Sequence, residues 1–106
     1  MAKYLITASY TADGVKGVLK GGGTARVDAV RKMIDGLGGS LETFYFAFGS
    51  DDVFAIADLP DNVAAAAVGL AVSSSGLTAA RTTVLLTPGE IDEAAKRQVD
   101  YTPPGK

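Results

Sequence analysis

The segment FYFAFGSDDVFAIADLP, residues 44–60, constrains the fold more than any other part of the chain. Two β-rich runs, residues 41–48 and 52–59, flank a Gly-Ser-Asp turn, the pattern of an antiparallel hairpin. Side chains alternate across a strand, so Phe44, Phe46 and Phe48 share one face while Thr43, Tyr45 and Ala47 share the other. In the second run Phe54 and Ile56 alternate against Val53, Ala55 and Ala57. Neither face carries the charges that a solvated surface needs. A sheet built on this hairpin has to be covered on both sides.

The remaining segments supply one cover. KYLITASY, residues 3–10, predicts a first strand with Tyr4, Ile6, Ala8 and Tyr10 on one face and Leu5, Thr7 and Ser9 on the other. Val27, Val30, Met33, Ile34 and Leu37 follow helical spacing, with Gly21 to Gly23 dividing that helix from a shorter one before it and Gly38-Gly39 ending it. Asp61 or Asn62 is placed to cap a helix running to about Ser74, and a last strand is expected from about Ala79 to Leu86. Thr87, Pro88 and Glu90 form a capping-box signature for a final helix, and residues 100–106 are an extended tail. The order is βαββαβ plus a C-terminal helix, which predicts one ferredoxin-like α+β domain over residues 1–106 with a four-stranded antiparallel sheet. Its two main helices cover one face. A second copy of the sheet covers the other most economically, as a dimeric α/β barrel, because each such buried side chain contributes ~1.5–3 kcal/mol; the alternative is that the C-terminal helix folds back over that face. The helix NVAAAAVGLAVSSSG is small and apolar on nearly every side, which points to assembly beyond a dimer.

Composition narrows the chemistry. The chain has neither histidine nor cysteine, so zinc sites of the usual kind, thiolate nucleophiles and Ser-His-Asp triads cannot be built, which leaves only a carboxylate site for a hard ion such as Mg²⁺; no metal and no cofactor are expected. A formal charge of −2 with no basic cluster gives no footprint for nucleic acid. No run is long and apolar enough for a membrane span and no signal peptide is recognisable, so a cytoplasmic location without membrane partners is expected. Tyr45 is the first candidate for a ligand site, since a buried phenol needs a hydrogen-bond partner; Thr7, Ser9, Thr43, Arg81 and Thr83 are placed to line a cavity with it between sheets. Arg81 there has to be paired, by a salt bridge to another subunit or by an anionic ligand.

LKGGGTAR, residues 19–26, lacks the lysine of a phosphate-binding loop and reads as an interhelical break; its sharper reading is an anion site using Thr24 and Arg26. Asp51 and Asp52 are adjacent, point to opposite sides in extended chain, and read as turn residues rather than metal ligands. The leading functional expectation is a homo-oligomer that binds a small, partly apolar molecule between sheet and helices. Its rivals are a cofactor-independent enzyme using Tyr45 with Arg81 or an aspartate, and a purely structural assembly protein.

Several segments taken together resemble the GYD domain proteins. They are KYLITASYTADGVKGVLKGGG, FYFAFGSD, DLPDNVAAAA, LLTPGEIDEAAK and YTPPG, which span nearly the whole chain. The departure falls on the naming motif, where Ser50 stands in place of the family's tyrosine, so no role of that tyrosine carries over. The resemblance implies a ferredoxin-like fold of the dimeric α/β-barrel type and no assigned activity. Related barrels include monooxygenases and lactone isomerases that need no cofactor, a likeness of fold alone.

Overall fold

A computed structural model describes residues 1–106. Strands β1 (Ala2–Tyr10), β2 (Ser40–Phe46), β3 (Val53–Leu59) and β4 (Thr78–Leu85) form one antiparallel sheet in the order β2-β3-β1-β4. Helices α1 (Ala12–Gly21) and α2 (Gly23–Gly36) cross from β1 to β2, α3 (Asn62–Ser74) crosses from β3 to β4, and α4 (Pro88–Lys96) follows. The fold is ferredoxin-like α+β, as the sequence predicts.

Local chemistry sets the boundaries. Thr11 caps α1 by accepting from the Gly14 amide at 3.2 Å, and Asp61 caps α3 by accepting from the Ala64 amide at 2.8 Å. Gly22, at φ +84°, parts α1 from α2 in a conformation closed to most residues. The Thr87–Glu90 capping box is complete, with both reciprocal hydrogen bonds formed. Ala47 N–H bonds to the Asp52 carbonyl and Asp52 N–H to the Ala8 carbonyl, so the chain leaves the sheet at Ala47. Phe48 therefore lies in the hairpin loop, fully exposed, rather than in a layer with Phe44 and Phe46.

The core lies between the sheet and α2 and α3. Tyr4 of β1 and Ala57 and Leu59 of β3 pack with Ile34 of α2 and Ala65 and Val68 of α3, while Ala8 of β1 forms a second buried cluster with Val53 and Ala55 of β3. Tyr4 is buried, with its hydroxyl donating to Asn62 Oδ1 at 2.7 Å. A bulge between Leu41 and Thr43 turns Leu41 toward this core as well.

The chain leaves much of its surface uncovered. Only 11 of 106 residues are buried, and the accessible area is 7244 Å², against about 5,500 Å² for a folded monomer of this mass. The radius of gyration is 16.9 Å, where about 13 Å is usual for this length. Helix α4 buries none of its residues and the tail over residues 97–106 is exposed throughout, so both add to this area together with the far face of the sheet.

Candidate functional site

The sequence-derived candidates separate onto two sides of the sheet. Residues paired across antiparallel strands share a face, and the register puts Leu5, Thr7 and Ser9 of β1 with Phe54 and Ile56 of β3 on the side away from the helices. Thr43 and Tyr45 of β2, and Arg81 and Thr83 of β4, join them there. Tyr45, Arg81, Thr7, Ser9, Thr43 and Thr83 thus form one open surface, and Tyr45 is 69% exposed on it.

Ion pairs bound this surface at both ends. Arg81 pairs with Asp51 of the hairpin loop, so its partner lies within the chain rather than in another subunit. Ser9 Oγ also donates to Asp51 Oδ1 and to the Ser50 carbonyl, so the backbone at position 50 helps to tie the loop down. Asp52 points elsewhere and accepts from the Tyr10 amide at 2.8 Å. At the other end Lys3 Nζ lies 2.8 Å from Glu42 and 3.1 Å from Asp58. The hydrogen bonds to Glu42 and then Asp58 raise the Lys3 pKa above its ordinary value. Sequence reading missed Lys3 because its partners come from two other strands and, at Glu42, from the bulge. Between the two charged ends runs a stripe made by Leu5, Phe54 and Ile56 with the threonines.

Arg26 lies apart, on the helix side. A cleft of about 450 Å³ opens between α1, α2, α3 and the adjoining ends of β1 and β4. Its walls are mostly apolar or bare backbone: Val18, Ala29, Met33 and Val72, with Gly17 and Gly21 of α1. Tyr10, Ser75 and Thr78 contribute hydroxyls, and Arg26 contributes the single charged side chain. A void of about 40 Å³ continues the cleft toward the sheet and shares Arg26, Tyr10 and Thr78 with it.

The wall formed by α1 is shaped by its glycines. Gly14 must be glycine, because a Cβ there would stand 2.1 Å from the Leu77 carbonyl oxygen. Gly17 has no such need, since a Cβ there would meet nothing within 4 Å. It faces empty space. Residue type alone gave no signal for this cleft, because glycines read as helix breakers until three helices are placed around them. Three acidic residues, or any such group with histidine or cysteine, do not come together anywhere as a metal site. No helix is long and apolar enough to cross a membrane.

Residues 4–95 match the family described as GYD domain, which covers most of the chain. The chain belongs to the GYD domain family. No curated protein and no solved structure matches it. The family assignment accords with the resemblance carried by the hairpin, the α3 turn and the α4 cap, and brings no activity with it.

Proposed function

We propose that this GYD domain chain is a homo-oligomer, at minimum a dimer joined through the open sheet face, that binds a small, partly apolar molecule between sheet and helices. The cleft beside α1 is the observation that carries the binding half. Its volume, about 450 Å³, falls in the range of small-molecule sites, roughly 300–1,000 Å³. Apolar walls with a few convergent polar groups are what such sites have in common. The cleft holds no carboxylate and the chain has no histidine, which favours binding over proton transfer as its task.

The dimer half rests on the uncovered sheet face. Phe54 and Tyr45 are exposed on the sheet face turned away from the helices, and a standard interface takes about 800 Å² from each partner. The open face is also self-complementary in kind, with an apolar stripe between charged ends. Native mass spectrometry of freshly purified protein at several concentrations tests both halves. A dimer or larger assembly that retains a reproducible small added mass is expected. A monomer at every concentration overturns the dimer, and an assembly that never carries an added mass favours a purely structural role.

A further inference from the structure

We infer that the molecule held in the cleft is an apolar monoanion, a small carboxylate, and that Arg26 is the residue that receives it. This rests on the cleft reading above and names its ligand class. Arg26 makes no ion pair and no hydrogen bond, although every other arginine in the chain has a carboxylate partner. It is half-buried, and it lines both the cleft and the void beneath it. A guanidinium taken part-way out of water without a partner is a net cost to the fold.

The position makes that cost larger. Arg26 stands at the end of the first turn of α2, where the helix dipole disfavours a cation. No acidic residue occupies that turn to compensate, and the Gly22 cap offers no side chain to the free amides. The cleft lining supplies no carboxylate either. Inside the protein the site is therefore short by one negative charge; the hydroxyls of Tyr10 and Thr78 can donate to the same anion without providing that charge, whereas the Ser75 hydroxyl already donates to the Val72 carbonyl at 2.8 Å.

The walls decide the rest of the ligand. One arginine without a lysine beside it matches a singly charged, planar carboxylate, which a guanidinium binds through two parallel hydrogen bonds. The remainder of the cleft, formed by Val18, Ala29, Met33 and Val72, accepts an apolar body. Gly17 keeps that space open at the expense of helix stability.

The test uses the full chain labelled with ¹⁵N and two probes of nearly the same shape, 4-phenylbutyrate and 4-phenylbutanamide, titrated by NMR. The acid is expected to bind at least about tenfold tighter than the amide, the effect of one charge-assisted hydrogen bond. Its shifts should centre on the amides of α1 and the start of α2 and on the Arg26 Nε–H. Arg26→Met, which keeps the apolar stem, should abolish the acid's advantage over the amide, so that the two probes bind alike. Gly17→Leu should block both probes while the fold is retained.

Equal affinity for acid and amide in the unaltered chain overturns the anion inference while the cleft reading stands. A preference for the acid that survives Arg26→Met overturns the role of Arg26. Failure of both probes to shift cleft resonances, or binding undisturbed by Gly17→Leu, overturns the cleft reading itself.

Discussion

Two glycines of α1, three residues apart, carry opposite meanings. At Gly14 the Leu77 carbonyl sits where a side chain would begin, and the same carbonyl accepts the Thr11 amide at 2.9 Å. Backbone, not a flexible side chain, would have to move. Gly14→Ala is expected to destabilise the fold by about 1–3 kcal/mol, the usual cost of overpacking. Gly17→Ala meets open space within a helix, so it is expected to stabilise by roughly 0.5–1 kcal/mol. Urea unfolding of the two variants beside the parent chain checks both signs. The contrast could not be read from the sequence, where both positions are glycines on one short helix. What separates them is Leu77, more than sixty residues away along the chain.

At the scale of elements, α4 is the informative piece. Its capping box, Pro88 and the acid-to-base order from Glu90 to Lys96 were all legible in residues 87–96, because each acts within one or two turns. Nine residues with no buried side chain fall short of the ~12–15 at which an isolated helix becomes even marginal in water. The cap therefore carries an unusual share of its stability. Thr87→Ala is expected to cost about 1 kcal/mol of local helix stability. It should lower Cα secondary shifts across residues 88–96 and leave amide protection in the sheet unchanged. Equal losses in β1 and β3 would mean that α4 is integral to the core. β2 shows the reverse case: its bulge at residues 41–43 and its end at Phe46 are imposed by pairing with β3, and the alternating pattern of residues 41–48 contains no trace of either.

For the whole molecule the question is what covers the sheet. Helices α2 and α3 bury Tyr4, Ala57 and Leu59 on one side, while Phe54 and Tyr45 remain exposed on the other. Ile56 is paired with both Leu5 and Thr43 and so lies near the centre of the open face. A carboxylate placed there tolerates water but not a facing apolar surface. Ile56→Glu is expected to convert the proposed dimer to a folded monomer, with the mass halved by light scattering and the far-ultraviolet circular dichroism retained. A variant that stays dimeric would move the interface to another surface. The cleft lies on the helix side, so the proposed dimer leaves it accessible.

The sequence by itself determined the elements, their order, the parities of β1, β3 and β4, the caps of α3 and α4, and the family. These follow from hydrophobic period, turn chemistry and neighbours a few residues apart, which a single chain displays directly. It also showed that both faces of the sheet need cover, since alternation assigns Phe44 and Tyr45 to opposite sides without reference to any other element. Only the tertiary structure decided that Arg81 is neutralised by Asp51, that Lys3 is held by Glu42 and Asp58, and that Arg26 is left without a partner at the edge of a cleft. Charge pairing and empty volume depend on which distant segments come within a few ångströms of each other. Residue type marks Arg81 as a cation in need of a partner, and type does not reveal that Asp51, thirty residues away, meets the need.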